Sequence, residues 1–281
     1  MGFEKQVELQ KYALQIRICI MEQFDARGFG HIGGSLSIAD TLAVLYGAVM
    51  NIDPKNPMKP DRDKLVCSKG HAGPAVYAAL ALKGYFPLEV LKTLNQPGTI
   101  LPSHCDRNKT PGVDMTTGSL GQGTSLAAGM ALGDMKKGRE NRVFLLTGDG
   151  ELNEGQVWEA AMFIAAKKIN NLVWIVDNNK KQLDGYINDV LDPFNIETKF
   201  AAFGFDACTV SGKDFEAMYN AISRRSVGKP IAIILDTIKG QGIKEIENTM
   251  DNHSMHVSHE QCSRWISQLQ TEYDALAKGN K

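Results

Sequence analysis

Two loops rich in glycine, acid and amide side chains follow apolar stretches of the sequence. In "LLTGDGELNEG", Asp149 lies between Gly148 and Gly150, directly after an apolar run. In "NLVWIVDNN", an acid and two asparagines follow the next such run. A carboxylate, an amide oxygen and a nearby main-chain carbonyl are oxygen ligands of the kind that Mg²⁺ or Ca²⁺ binds. We therefore interpret the two loops as halves of one candidate cation site.

The spacing of the two loops allows their side chains to meet. Gly150 and Asn178 are separated by 27 residues, which is room for one crossover helix and the next strand. In open α/β sheets, ligands bind beyond the carboxyl ends of the parallel strands, so the side chains of Asp149 and Asn179 are expected to converge there. Taken alone, Asp149 is explained at least as well as a helix cap. The presence of the second polar loop favours a role for Asp149 as a cation ligand over a role as a helix cap.

Three histidines lie in loops that contain glycine or proline rather than on apolar helical faces. They are His31 in "GHIGG", His71 in "SKGHAGP" and His104 in "PSHCD". An imidazole has an ordinary pKa of about 6.5, so it accepts and returns protons near neutrality. A single histidine is more often structural, whereas three in such loops are harder to explain in that way.

Five apolar stretches are predicted to be the strands that position these loops: 64–68, 142–148, 171–178, 205–210 and 231–238. Several are apolar throughout, as in strands covered on both faces. Helices are predicted at 4–26, 38–50, 72–83, 121–137, 153–168, 214–227 and 258–276. This alternation predicts an α/β fold, a doubly wound, mostly parallel sheet with helices on both faces.

Composition favours one cytoplasmic domain over residues 1–281. Apolar residues make up 43% of the chain and charged residues 22%, as in ordinary globular proteins. The net charge of −1 offers no field for nucleic acid or an anionic membrane, so neither is expected as a partner. Five scattered cysteines and a charged N-terminal helix, with no secretory leader, predict reduced thiols in the cytoplasm.

Six ordered motifs carry a family resemblance: "GHIGGSLS", "SKGHAGPAVYAAL", "PSHCD", "TTGSLGQGTSLAAGMAL", "GDGELNEGQVWEA" and "TIKGQG". Together with the "GDG" and "NN" pair, they resemble the N-terminal, thiamine-diphosphate-binding part of transketolases. The resemblance runs from about residue 14 to residue 253. It implies the thiamine-diphosphate-binding fold, in which a divalent cation ties the cofactor's diphosphate to the protein.

The resemblance also assigns roles to individual residues. It implies that Mg²⁺, or Ca²⁺ or Mn²⁺, is bound by Asp149, Asn179 and the carbonyl of Lys181. It implies donor-sugar contacts by His31 and His104. The implied cofactor contacts are His71, Gly118, Ser119, Leu120, Gly150, Glu151, Asn179, Lys239 and His253.

One family motif departs from the usual pattern. The family has a further active-site histidine in a "WHG" triplet, but this chain reads "NHSMHVSHEQ" instead. Counting from Lys239 without a gap selects His253, which we predict as the catalytic histidine over His256. Because this motif differs, the resemblance does not specify which residues of this segment contact the sugar.

The sequence contains no counterpart of the second transketolase domain, which carries the glutamate that binds the aminopyrimidine ring. The resemblance therefore implies a split transketolase, in which a C-terminal partner subunit supplies the pyrimidine-binding domain in an α2β2 assembly. Its substrates would be sugars or sugar phosphates. The alternatives are the α subunit of a 2-oxo acid dehydrogenase, which also carries "GDG" and "NN", and a non-catalytic binding subunit.

Overall fold

The structure is a computed structural model that describes residues 1–278. Its strands are β1 Phe29–Gly30, β2 Lys64–Cys67, β3 Val143–Gly148, β4 Leu172–Asn178, β5 Lys181–Gln182, β6 Gly185–Tyr186, β7 Asp206–Ser211, β8 Ile231–Asp236 and β9 Met255–His256. Its helices are α1 Phe3–Arg27, α2 Ile32–Leu36, α3 Ala39–Val44, α4 Gly73–Leu82, α5 Gln122–Lys136, α6 Gly155–Ala166, α7 Ile187–Leu191, α8 Ile196–Ala202, α9 Phe215–Ser223, α10 Lys244–Glu247 and α11 His259–Lys278. A π-helical turn, Leu45–Val49, continues α3, and 3₁₀ turns occupy Gly70–Ala72, Leu88–Thr93 and Gly150–Asn153.

Five strands form one parallel sheet in the order β2-β3-β4-β8-β7. Of the three strands in the middle of that order, β3 is buried along its whole length, and β4 and β8 are buried except at their last residues, which is why their sequences are largely apolar. The register pairs Gly148 at the end of β3 with Asp177 near the end of β4. The predicted doubly wound α/β fold with a parallel sheet is confirmed.

Successive residues of each central strand face opposite layers of helices. Phe144 and Leu146 belong to a core shared with α1, α3, α4 and α11, whereas Val143 and Leu145 belong to a second core shared with α5, α6 and α8. This alternation follows from the two-residue repeat of side chains along a strand. Helices therefore cover both faces of the sheet, and the carboxyl ends of its strands are the place left for a functional site.

The predicted elements match the observed ones closely, with one helix too long. The helix predicted over 214–227 ends at Ser223, because Arg224 has an extended ψ of 149° and Gly228 and Pro230 follow. The two-residue pairs β1-β9 and β5-β6, and the short helices α2, α7, α8 and α10, were not predicted. Elements this short have too few residues for periodicity to indicate them.

One window, Ile32–Val49, is as apolar as a membrane-spanning helix. It is divided into α2, α3 and the π-helical turn, and 83% of it is buried inside the protein. It is therefore part of the core, and it brings the loop that contains His31 to the edge of the sheet.

Candidate active site

A cavity of about 640 Å³ opens at the carboxyl ends of β2, β3 and β4. Its volume falls within the range of about 300–1,000 Å³ that is usual for small-molecule sites. Loops that the sequence places far apart line it: His31, Lys69, His71, His104, Gly118, Leu120, Gly148, Asp149, Gly150, Glu151, Asn153, Glu154, Asn179, Lys181, Gln182, Leu183, Asp184, Val190, Leu191, Lys239 and His253.

Asp149 and Asn179 lie side by side at the ends of β3 and β4. The Asp149 N–H donates to the carbonyl of Asp177 (3.1 Å), and the Lys180 N–H donates to Asp149 Oδ2 (2.5 Å). Asn179 Oδ1 accepts from the Lys181 N–H (3.2 Å). Burial, and then the charge of Asp177, raise the pKa of Asp149 to about 7. A bound divalent cation favours the ionised carboxylate.

The carbonyl of Lys181, the third predicted ligand, has a positive charge beside it. Lys239 Nζ donates to the carbonyls of Lys181 (3.2 Å) and Gln182 (3.3 Å). Burial, followed by the charge of Lys69, lowers the pKa of Lys239 to about 8. The Lys181 ammonium points elsewhere, to the carbonyl of Thr249 (3.1 Å). The edge of the cavity therefore presents oxygen ligands beside the Lys239 ammonium.

The Asp177 carboxylate, fully buried under the cavity floor, links four loops. Oδ2 accepts from Lys69 Nζ (2.5 Å), Ser37 Oγ (2.7 Å) and Asn179 Nδ2 (2.9 Å). Oδ1 accepts from Thr237 Oγ1 (2.5 Å). Burial alone would raise the pKa of Asp177, but Lys69 and these donors hold it below its ordinary value. The amide nitrogen of Asn179 is bound to Asp177, and its oxygen, which accepts one bond from the Lys181 N–H, has a second lone pair for the predicted cation.

Four imidazoles form one cluster on the cavity wall. The His31 ring lies 5.5 Å from His71, 5.6 Å from His104 and 5.4 Å from His253, centroid to centroid. The His71 and His253 rings are 5.0 Å apart. His256 lies outside the cavity, where its exposed ring contacts that of Phe29 at 4.6 Å. Of the two competing histidines, the structure therefore brings His253 to the others.

The cluster is uncharged near neutral pH. Burial is the main cause that lowers the pKa of His31, His71 and His104, and that of His71 lies well below its ordinary value. Burial, and then Lys239, lower the pKa of His253 to about 3. His253 Nδ1 lies 3.0 Å from Lys239 Nζ. Since a charged ammonium only donates, Nδ1 accepts and the ring proton is on Nε2.

Replacing His253 with asparagine is expected to weaken the dependence of stability on acid pH. An unfolded imidazole has a pKa of about 6.5, whereas that of folded His253 is lowered to about 3. As the pH falls below about 6.5, the unfolded chain binds a proton that the folded chain does not, so stability is lost. Thermal unfolding between about pH 7.5 and about pH 5 should therefore show a larger fall in Tm for the wild-type chain than for His253→Asn.

Protonation of Asp149 changes stability in the opposite direction as the pH falls. Its pKa is raised in the folded chain, so the folded chain binds a proton before the unfolded chain does. Its effect is common to the wild-type chain and to His253→Asn, so the difference between them isolates His253. His256→Asn is the matched control and should follow the wild-type chain. Equal pH dependence of the wild-type and His253→Asn Tm values would contradict a neutral, buried His253.

Glycines leave the space that a cofactor tail needs. A Cβ added to Gly148 would meet only Lys69 Cδ, at 3.9 Å, so this part of the cavity floor is open backbone. Gly118 has a φ of 149°, and a Cβ there would lie 3.0 Å from the His104 ring. Both positions let a ligand approach the main chain closely.

Three of the predicted cofactor contacts have other bonds in this structure. The Gly150 N–H donates to Asp149 Oδ1 (2.8 Å). Glu151 lines the cavity, and its buried carboxylate accepts from Ser68 Oγ and the Gly121 N–H, so this side chain also joins two loops. Ser119 is exposed and is not among the residues that line the cavity, unlike Gly118 and Leu120, and its carbonyl accepts from the Gln122 N–H (3.3 Å) in the turn before α5. The contact between Ser119 and the cofactor stays a prediction.

The donor set fits the groups that the resemblance implies. One carboxylate, one amide oxygen and one carbonyl suit Mg²⁺, which usually takes few protein ligands and keeps positions for phosphate oxygens and water. Among residues 1–278, no group of three or more His, Cys, Asp and Glu side chains forms a metal site of its own. Lys239, His71 and the open backbone at Gly148 suit a diphosphate. The sequence did not indicate that Lys69 pairs with Asp177, since 108 residues separate them.

Comparison with known proteins gives consistent matches. The family described as "Transketolase, thiamine diphosphate binding domain" matches residues 9–275. The chain is 47% identical over 271 residues to the 6-deoxy-6-sulfo-D-fructose transketolase subunit SqwG of Clostridium sp. (strain MSTE9), covering 96% of this chain and 98% of that protein. It is 40% identical over 249 residues to an apulose-4-phosphate transketolase subunit of Actinobacillus succinogenes (strain ATCC 55618 / DSM 22257 / CCUG 43843 / 130Z), covering 88% and 90%.

A solved structure matches the whole chain but is twice as long. The transketolase of Campylobacter jejuni subsp. jejuni NCTC 11168 superposes with a TM-score of 0.84 at 28% identity. The match covers 99% of this chain and 48% of that one, so the chain spans about half the length of that transketolase.

Proposed function

The chain belongs to the transketolase family, and from this premise we propose that it is the diphosphate-binding subunit of a two-chain transketolase. It takes part in transferring a two-carbon ketol unit from a ketose donor to an aldose acceptor, with thiamine diphosphate as cofactor. The two similar proteins named above are both called subunits, and this chain covers 98% and 90% of them. The observation that carries the proposal is the cluster of four imidazoles beside Asp149 and Asn179 in one cavity.

The residues of this chain hold the cofactor and neutralise its charge. When bound, thiamine diphosphate supplies the carbon nucleophile that ketol transfer requires. Asp149, Asn179 and the carbonyl of Lys181 would hold Mg²⁺, or Ca²⁺ or Mn²⁺, against the diphosphate. Lys239 would turn its ammonium from the carbonyls that it now contacts towards the diphosphate oxygens, where a charge-assisted hydrogen bond is stronger.

The histidines act on the sugar. Because burial keeps His31 and His104 neutral, each has a free nitrogen that can accept a proton from a sugar hydroxyl. His253 presents its Nε2–H, since Nδ1 is occupied by Lys239, so it can donate to a hydroxyl or a developing alkoxide. The cluster thus supplies both an acceptor and a donor without a net charge.

The donor is proposed to be a ketose with an anionic group at its far end. The two similar proteins are named for a sulfonated fructose and for apulose 4-phosphate. Sulfonate is the first choice, because the protein named for it is the more similar of the two, at 47% identity against 40%. The names of these proteins do not favour a 2-oxo acid dehydrogenase subunit.

The assembly is proposed to be α2β2, with one cofactor-binding domain in each copy of this chain. Apolar side chains on α5 and α6 support self-association: Leu126 is 38% exposed, Met162 57% and Phe163 41%. Exposed apolar side chains grouped on two adjacent helices indicate an interaction surface. The cytoplasm is the proposed location, since all five cysteines are free.

Ketol transfer is expected only when the partner chain is present. The catalytic glutamate lies on the partner, so the isolated chain should turn over at least about 100-fold more slowly than the complex, the lower bound for losing a general acid or base. The measurement uses 6-deoxy-6-sulfo-D-fructose and its 6-phosphate counterpart as donors, with an aldose acceptor and no lipoamide or electron acceptor. Light scattering of the same complex reports its stoichiometry.

The partner chain alone, with thiamine diphosphate and Mg²⁺, is the control and should be inactive. Turnover by the isolated chain at the rate of the complex would overturn the two-chain proposal. A complex that binds cofactor and both sugars but transfers nothing would instead indicate the non-catalytic subunit.

A further inference from the structure

A buried ion pair lies on the far side of the loop that carries Lys239. Arg17 of α1 and Asp40 of α3 are 4% and 5% exposed and pair through two bonds, of 2.8 and 2.6 Å. Neither residue lines the cavity. Burying two charges is costly unless the pair makes further hydrogen bonds, so the remaining donors and acceptors of this pair indicate what it holds.

Those remaining bonds all go to Gln241 in the loop 238–242. Arg17 Nε donates to the main-chain carbonyl of Gln241 (2.9 Å). The Gln241 side chain returns to the pair, because its Nε2 donates to Asp40 Oδ2 (2.5 Å). The pair therefore binds Gln241 through both its main chain and its side chain.

Two glycines give the loop its shape and let it pass close to Arg17. Gly240 and Gly242 have φ angles of 89° and 98°, a region that favours glycine. A Cβ on Gly242 would lie 2.3 Å from Arg17 Nε, so the loop passes directly against the guanidinium. Glycine allows this close approach and also increases the freedom of the chain. The bonds from Arg17 and Asp40 to Gln241 restrict this freedom from outside the loop.

Lys239 is the second residue of this loop, two residues before Gln241. Its carbonyl accepts from Asn252 Nδ2 (3.0 Å), and its ammonium reaches the cavity and His253. Because Arg17 holds the neighbouring main chain at Gln241 and Asn252 holds the Lys239 carbonyl, the point from which the Lys239 side chain enters the cavity is fixed.

We propose that Arg17 and Asp40 are positioning residues that set Lys239, through Gln241, for the diphosphate of the cofactor. This inference rests on the proposed function, because it assigns Lys239 to the cofactor. The pair acts at a distance: it contributes no atom to the cavity, and its removal acts only through the loop.

The test is a double-mutant cycle in the complex with the partner chain. Arg17→Met and Asp40→Leu together remove both charges, a replacement that is often tolerated by a buried pair. The Kd for thiamine diphosphate with Mg²⁺, measured by calorimetry, is expected to rise by about 10- to 100-fold, as when outer contacts of a metal site are lost. In a Lys239→Met background, the same pair of changes should raise the Kd by less than about threefold, because the residue through which they act is gone.

A second buried Arg–Asp pair gives a matched control. Arg62 and Asp114 pair at the amino end of β2, where neither lines the cavity nor bonds to the loop 238–242. Arg62→Met with Asp114→Leu should leave the Kd within about threefold of the wild-type value. If Arg17→Met/Asp40→Leu does not fold, Arg17→Lys replaces it in the cycle, since lysine keeps the charge but not the Nε bond.

The outcomes separate the two proposals. Equal losses with and without Lys239 would show a merely structural role and overturn this inference alone, as would equal losses for the two Arg–Asp pairs. A wild-type complex that does not bind thiamine diphosphate would overturn the proposed function and this inference with it.

Discussion

Replacing Asp149 with alanine is expected to remove Mg²⁺-dependent binding of thiamine diphosphate by the complex. Asp149 is 1% exposed and is the only carboxylate among the predicted ligands, so the variant loses the one full negative charge that faces the cation. Truncating one partner of a buried charge pair costs about 2–5 kcal/mol, which is about 30- to 5,000-fold in affinity. Calorimetric titration with thiamine diphosphate, with Mg²⁺ and with EDTA, measures this loss.

Asp236→Ala is the matched control, because Asp236 also ends a strand at this edge of the sheet but is exposed and lies outside the cavity. Its binding of the cofactor should remain within about threefold of the wild-type affinity, as expected for an exposed ion pair. Asp149→Asn, which keeps the shape of the side chain, serves if the alanine variant does not fold. Unchanged affinity in a folded Asp149 variant would remove the cation site from this proposal.

His31→Ala is expected to reduce turnover by about 100- to 10,000-fold, the usual contribution of a general acid or base. His31 is the ring that contacts the three other imidazoles, at 5.4 to 5.6 Å, so it lies at the centre of the cluster. Cofactor affinity should change much less, because His31 is predicted to contact the sugar. Turnover and the Kd for thiamine diphosphate are measured on the same reconstituted complex.

His256→Ala provides the comparison, since His256 is an exposed histidine whose ring contacts that of Phe29 outside the cavity. Its turnover should equal that of the wild-type complex. If His31→Ala turns over as fast as His256→Ala, the cluster does not carry the proton transfer. If His31→Ala instead loses the cofactor with turnover per bound cofactor unchanged, His31 belongs to the cofactor site.

The fold was predictable because its main signals are local. Strands buried on both faces need continuous apolar stretches, and the middle three strands, β3, β4 and β8, have them. Helix ends were less predictable, as the early end of α9 at Ser223 shows. The pairs β1-β9 and β5-β6 were missed because two residues of extended chain give no periodic signal and are defined only by their partners.

Part of the candidate site was predictable from strand-end loops. The sequence indicated Asp149, Asn179, His31, His71 and His104 from their residue types, and the structure brings all five to one cavity. The choice of His253 over His256 depended on counting residues, and only the structure separates their positions. The side chain of Glu151 was not expected to hold loops together.

The sequence by itself determined the apolar strands, the polar loops that follow them, and the family resemblance, because each of these depends on residues close together in the chain. The tertiary structure alone decided which charges pair. Lys69 meets Asp177 across 108 residues, and Gln241 reaches Asp40 across 201. Buried charges find such partners only after crossover connections bring distant loops to one edge of the sheet, and no local pattern encodes that meeting.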